Sequence, residues 1–138
     1  MKTTEELMNR LRNSRKIEEY LTESAPDMTQ RSLPEELNFL LVEKGLTKSE
    51  VAHRSNMFEN YVYKIFAGQR FPDRDKALCL CFGLGLDLTE SRRLLRIADC
   101  GDLSPKLRRD SAIIFALKEH MNLMGCNELL YELGEQTL

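Results

Sequence analysis

The sequence predicts an all-α fold, and three observations carry this prediction. Runs in which β-branched and polar residues alternate, the pattern of a half-buried strand, do not occur. Apolar residues instead recur at helical spacing throughout the chain. The sequence also contains two capping boxes, Ser32 with Glu35 and Thr47 with Glu50. In a capping box a hydroxyl residue and a glutamate three positions later together cap the start of a helix.

Apolar spacing and helix breakers predict eight helices and one linker. In chain order these are a helix over 4–23, a linker at 25–30, three short helices between 33 and 68, and helices over 73–82, 89–100, 105–120 and 123–133. Thr89 with Glu90 is expected to begin the helix over 89–100, and Ser104 to cap the helix that starts at Pro105. The helix over 73–82 is expected to stop at Gly83 and Gly85.

Composition predicts a small globular protein without a membrane span. The chain has 138 residues, of which 42% are hydrophobic and 30% charged, and this suits one domain with a helical extension. No run of about 18 apolar residues occurs. The acidic N-terminus lacks the apolar segment of a secretory signal, and four cysteines without such a signal indicate a reducing compartment. We therefore expect a cytoplasmic location.

Charge is distributed unevenly along the chain. The formal net charge is −2, which by itself argues mildly against binding to nucleic acid. Only residues 45–76 carry a surplus of basic side chains, namely Lys48, Arg54, Lys64, Arg70, Arg74 and Lys76 against Glu50, Glu59, Asp73 and Asp75. This segment is where phosphate groups are expected to bind, although a surplus of two is a weak signal.

The three short helices between 33 and 68 indicate a helix-turn-helix. Helices of this length are unstable alone in water, so each must pack against partners. The turn at 55–58 is too short for antiparallel packing, so the two flanking helices are expected to cross at a wide angle. The second helix of such a pair projects an exposed face, and the major groove of DNA admits one α-helix.

Two stretches then carry a family resemblance: GLTKSEVA at 45–52 and YVYKIFAGQRFP at 61–72. This pattern resembles the phage repressor and Cro (XRE-like) helix-turn-helix family over about residues 33–90. Asn56 stands where the family usually has glycine, and Phe58 stands where it usually has a serine or threonine cap. Asparagine tolerates the left-handed conformation, and the Asn56–Glu59 spacing also predicts a helix start two residues early.

The resemblance implies a lambda-repressor-like helical bundle and a transcriptional regulator that binds double-stranded DNA. It divides the chain into an N-terminal helix and linker at 1–32, a DNA-binding domain at 33–98 and a C-terminal helical extension at 99–138. It implies that bases are read by Glu59, Asn60, Tyr63 and Lys64. The residues expected to bind phosphate are Lys48, Ser49, Arg70 and Arg74. The plainer alternative is a solvated helix face, or one that binds protein.

Two partner hypotheses accompany this reading. A single motif touches few phosphates, so a homodimer through residues 91–138 or 4–23 is expected, with Leu130 as a candidate contact. The alternative function is a helix-turn-helix module that binds a kinase or toxin partner instead of DNA. Tyr61, Tyr63, Phe58 and the acidic Glu59 lend it some weight.

Enzymatic and metal-binding functions receive no support from the sequence. Serine-hydrolase, phosphate-loop and zinc-protease motifs do not occur, so neither catalysis nor a cofactor is expected. The four cysteines lack any paired C-x-x-C spacing, so a zinc site is not expected. They are expected to be buried thiols, and they are Cys79, Cys81, Cys100 and Cys126.

Overall fold

The computed structural model describes residues 3–24 and 31–138, and in these ranges every regular element is an α-helix. The helices are α1 (Thr4–Asn13), α2 (Ile17–Ser24), α3 (Leu33–Lys44), α4 (Lys48–Arg54), α5 (Glu59–Phe66), α6 (Arg74–Gly83), α7 (Leu88–Ile97), α8 (Arg108–Lys118) and α9 (Leu123–Glu132). The all-α prediction is therefore confirmed. None of these helices combines the length and the apolar character that crossing a membrane requires.

The chain divides into two compact units, residues 1–30 and residues 31–138. In the first unit the prediction of one helix over 4–23 is wrong, because α1 ends at Asn13 and α2 begins at Ile17. Ser14 adopts an extended conformation, and its hydroxyl donates to the backbone carbonyl of Arg10 at 2.8 Å. A serine that bonds a nearby carbonyl competes with the helix in this way. The predicted linker at 25–30 lies outside the described residues.

The two capping boxes that open the second unit are confirmed. The backbone N–H of Glu35 donates to Ser32 Oγ, and the backbone N–H of Glu50 donates to Thr47 Oγ1. Between them Gly45 ends α3 in the left-handed conformation, with φ at 66°. A positive φ costs glycine little, so the chain leaves α3 and enters α4 within three residues.

Two predicted helix starts are wrong. The helix expected to begin at Thr89 is capped instead by Asp87, whose carboxylate accepts the N–H of Glu90 at 2.8 Å. The helix expected at Pro105 begins at Arg108. Ser104 Oγ accepts the N–H of Lys106 at 3.2 Å and so holds a separate turn before α8.

The predicted role of Gly83 as a helix stop is also wrong. Gly83 is the last residue of α6, and Gly85, with φ at 67°, follows the end of the helix. A Cβ atom on Gly83 would collide with Ser55 Oγ and approach the carbonyl of Val51 to 3.0 Å. Gly83 is therefore needed because α4 and α6 pack very closely at this point.

One hydrophobic core runs through the second unit. The motif residues predicted to be core, namely Val51, Ala52, Val62, Ile65 and Phe66, are all buried. Ile113 and Leu117 of α8 and Leu130 of α9 belong to the same core. Helix α8 packs on α7 and α9, and α9 packs on α6, so residues 99–138 extend the core that also contains the motif helices.

Candidate nucleic-acid interface

Helices α4 and α5 pack against each other across a connection of only four residues, 55–58. Asn56 has φ at 53°, so the expectation that it adopts the left-handed conformation is met. Its backbone N–H donates to the carbonyl of His53, and the N–H of Met57 donates to that of Ala52, both bonds closing the end of α4. The left-handed residue breaks the helical run, so the early start of α5 predicted from the Asn56–Glu59 spacing is wrong.

Helix α5 has one buried and one exposed face. Val62, Ile65 and Phe66 are buried in the core. The four residues that were predicted to read bases share the exposed face: Glu59, Asn60, Tyr63 and Lys64. The 3.6-residue period makes this separation, because positions 59, 60, 63 and 64 lie on one side of a helix.

Glu59 links the two helices through hydrogen bonds. The hydroxyl of Ser49, in the first turn of α4, donates to Glu59 Oε1 at 2.6 Å. The phenol of Tyr63 donates to Glu59 Oε2 at 3.2 Å. Desolvation together with the charge and hydrogen bond of Glu59 raises the pKa of Tyr63 above its ordinary value. The sequence gave no indication of the Ser49–Glu59 bond, since the two residues are ten positions apart in different helices and helical periodicity does not relate them.

A shallow depression lies at the exposed end of α5. Its lining residues are Phe58, Glu59, Asn60, Tyr61, Lys64 and Arg70. Arg70 reaches this position because the backbone N–H groups of Gln69 and Arg70 donate to the carbonyl of Lys64 at 2.8 and 3.3 Å. We call the exposed group formed by Phe58, Glu59, Asn60, Tyr63, Lys64 and Arg70 the α5 surface.

Lys48, predicted to bind phosphate, is the first residue of α4 and is half-buried. Its ammonium lies 5.9 Å from the centroid of the Phe66 ring, within the range of a cation–π contact. Lys64 and Arg70 are exposed, and among the described residues no carboxylate forms an ion pair with either of them. Their charges therefore remain available to a ligand.

Arg74 is placed differently from the other predicted phosphate-binding residues. Its guanidinium donates to both carboxylate oxygens of Asp110, at 3.1 and 2.8 Å, and to the backbone carbonyl of Asp102 at 3.1 Å. The Asp110 side chain is only 3% exposed. Separating Arg74 from Asp110 would leave an uncompensated buried charge, which is strongly destabilising. The ion pair therefore holds Arg74 in the fold. Arg74 is therefore not available to bind phosphate, contrary to the prediction from the sequence.

Further ion pairs surround Arg74. Arg109 donates to both carboxylate oxygens of Asp75, at 3.0 and 3.1 Å. Arg92 pairs with Asp102 at 2.8 Å, and its hydrogen bond to that carboxylate lowers the pKa of Asp102. We call this set of paired charges, Arg74, Asp75, Arg92, Asp102, Arg109 and Asp110, the α6–α8 junction. Sequence reasoning missed it because its partners are 10 to 36 residues apart.

None of the four cysteines lines the depression on α5. Cys79, Cys81 and Cys126 are buried, and Cys100 is half-buried. Burial raises the pKa of Cys79 to about 11, that of Cys81 to about 12 and that of Cys126 to about 11. At neutral pH these thiols are protonated and unreactive. Across residues 3–24 and 31–138, no three or more histidine, cysteine or acidic side chains are grouped to hold a metal ion.

Comparisons of the chain with protein-family models, with curated proteins and with solved structures find no match. The family resemblance of residues 45–52 and 61–72 therefore remains an expectation from the sequence.

Proposed function

We propose that this protein is a transcriptional regulator that binds double-stranded DNA, with α4 and α5 acting as a repressor-type helix-turn-helix within a lambda-repressor-like bundle of α3 to α7. The observation that carries the proposal is the two-faced character of α5. Its apolar face is sealed in the core, while four polar residues and Arg70 face outward next to a turn of only four residues. A major groove is wide enough for one helix presented in this way.

Each residue on the α5 surface has a matching chemistry in the groove. The amide of Asn60 suits the N6 and N7 atoms of adenine, and the ammonium of Lys64 suits the acceptors of guanine. Glu59 can accept from cytosine N4, because each carboxylate oxygen keeps a free lone pair after its bond to Ser49 or Tyr63. Lys48 and Arg70 supply the phosphate contacts. The Ser49 hydroxyl, which was also predicted to bind phosphate, donates its one proton to Glu59 and is therefore not among these contacts.

Salt-dependent binding tests the proposal. The full chain is titrated into a fluorescent mixed-sequence duplex at 50 and 200 mM salt. The two cationic phosphate contacts, from Lys48 and Arg70, would lower the affinity about 12-fold between these conditions, because each bound cation releases counterions from the DNA. Lys64→Ala combined with Arg70→Ala should weaken binding about tenfold or more and reduce its dependence on salt.

The control is Lys106→Ala combined with Lys118→Ala, which removes two exposed charges that do not line the depression on α5. This variant should bind like the parent protein. An equal loss in both double variants would contradict the assignment of DNA to the α5 surface. Absence of binding at 50 mM salt by a folded protein would contradict DNA binding itself.

We further propose that the regulator is a homodimer through its C-terminal helices. A groove between α9 and the end of α4 has basic residues on one side, His53 and Arg54, and acidic residues on the other, Glu128 and Glu132. In a two-fold pair the basic side of each copy can meet the acidic side of its partner. Tyr131 of the groove is 79% exposed and supplies apolar surface.

The dimer is tested by light scattering on Tyr131→Asp. We expect this variant to be monomeric at a concentration where the parent is a dimer, because a charge replaces exposed apolar surface. Phe115→Asp, a change at a half-exposed position outside the groove, is the control and should leave the mass unchanged. Leu130 is unsuitable for this test, because it is completely buried and its replacement by aspartate would unfold the core. A monomeric parent protein would contradict the dimer.

The second candidate function is a protein-interaction module, and the exposed aromatic residues on α5 favour it. Phe58 is 89% exposed and Tyr63 is 39% exposed, and aromatic side chains are enriched in protein interfaces. The acidic Glu59 between them would repel phosphate. A kinase or toxin partner bound through these residues would bind with little salt dependence, which separates this candidate from DNA binding in the same titration.

A further inference from the structure

Phe58 occupies a position that neither helix capping nor packing explains. It is the N-cap residue of α5, and its side chain makes no capping hydrogen bond. It is also 89% exposed, whereas Phe66 at the other end of the same helix is 2% exposed. A serine or asparagine at this position would stabilise the helix start. A phenyl ring that stays in water gains none of the stabilisation that burial gives.

The position of Phe58 beside the residues proposed to enter the major groove of DNA indicates what the ring contacts. It immediately precedes Glu59 and lines the same depression as Asn60 and Lys64. In a helix-turn-helix the N-terminal residues of the second helix are those that contact base edges. The edges exposed in the major groove are hydrogen-bond donors and acceptors, with one apolar exception, the C5 methyl group of thymine.

We propose that Phe58 binds the C5 methyl group of a pyrimidine, in the first place thymine, at the base position faced by the start of α5. This inference rests on the proposed function, and it adds an apolar element to the bases that the protein selects. Asn60 lines the same depression and suits adenine, so an A·T pair is expected at or beside that position. The same methyl group is present on 5-methylcytosine, which makes the two sources chemically equivalent for the ring.

The test starts by enriching duplexes from a randomised pool with the full-length protein. In the enriched duplex each thymine is then replaced singly by deoxyuridine, which removes only the methyl group. We expect one thymine in each half-site to matter, with a loss of about fourfold in affinity, the value for one buried methyl group. A 5-methylcytosine·guanine pair at that position should bind about fourfold more tightly than a cytosine·guanine pair.

Two variants separate this contact from a general effect. Phe58→Ser should lose the preference for thymine over deoxyuridine, yet raise the melting temperature, because serine caps the helix. A loss of discrimination in this variant is therefore not explained by unfolding. Phe71→Ala is the matched control: Phe71 is 78% exposed, lies in the connector after α5 and does not line the depression. It should keep the full thymine preference.

The outcomes are distinguishable. A preference for thymine that persists in Phe58→Ser overturns the inference, as does an enriched duplex in which no methyl group matters. Both results leave the proposed function standing. In a third outcome, 5-methylcytosine binds more tightly than cytosine, but no replacement of thymine by deoxyuridine weakens binding. This result assigns the contact to methylated cytosine and overturns the choice of thymine. Absence of any enriched duplex overturns the proposed function and this inference together.

Discussion

The α5 surface and the α6–α8 junction both collect charged residues, but they use them in opposite ways. At the junction every arginine has a carboxylate partner, and Asp110 is almost completely buried beneath Arg74. On the α5 surface Lys64 and Arg70 are exposed, and within the described ranges no acidic side chain pairs with them. Arg70 and Arg74 are only four residues apart in sequence, so proximity along the chain does not reveal which of these uses a charge has.

Paired charges and unpaired charges have different consequences when they are removed. A buried pair holds elements together, and its loss is measured in stability. An exposed cation contributes little to stability, so its loss is measured in binding. Substitutions in the two regions should separate these two consequences.

The largest effect is expected at the junction. Asp110→Ala leaves the Arg74 guanidinium without its carboxylate and removes the acceptor of the Ser104 backbone N–H, bonded at 2.9 Å. Because the carboxylate is buried, the free energy of unfolding should fall by about 3 kcal/mol in a urea titration. Arg70→Ala, measured in parallel, should change it by less than about 0.5 kcal/mol. Similar losses in the two variants would remove the distinction between the two regions.

A smaller effect is expected from the acidic residue of the α5 surface. Glu59→Gln removes the one negative charge beside Lys64 and Arg70, and binding to mixed-sequence DNA should become about tenfold tighter at 50 mM salt. The same change should lower the pKa of Tyr63 towards its ordinary value, because the charge of Glu59 helps to raise it. An absorbance titration with Tyr63→Phe as reference identifies this phenol. Unchanged DNA affinity with a shifted pKa would mean that DNA does not approach Glu59.

The smallest effect is expected from the exposed pair of the junction. Arg92 lowers the pKa of Asp102 below its ordinary value, so the carboxylate stabilises the folded state above the unfolded pKa of about 4. This contribution is lost as the pH falls through the lowered pKa of the folded state. Asp102→Asn should therefore lower the melting temperature by about 1–2 °C at pH 6, and this difference should shrink as the pH falls below about 4. A difference that does not shrink as the pH is lowered would assign the effect to hydrogen bonding and not to charge.

Local patterns determined much of what could be predicted. The capping boxes at Ser32 and Thr47, the left-handed Asn56 and the two faces of α5 are consequences of interactions within one or two helical turns. Such short-range rules can be read from neighbouring residues, because the participating groups are only a few positions apart. Prediction failed where two short-range preferences competed. At Asn56 the left-handed turn prevailed over the capping pattern that Asn56 forms with Glu59. At Ser14 the end of α1 prevailed over a continuous helix.

The all-helical class, most helix positions and the side chains on the exposed face of α5 follow from patterns in the amino-acid sequence. Which cations remain available depends on tertiary contacts. Arg74 is bound by Asp110 from 36 positions away, and Ser49 is tied to Glu59 across the turn between α4 and α5. The tertiary structure also decided that Gly83 is a point of close helix packing and that Leu130 is core. The physical reason is the same in each case: helical periodicity orients a side chain, but only packing brings distant partners within bonding distance.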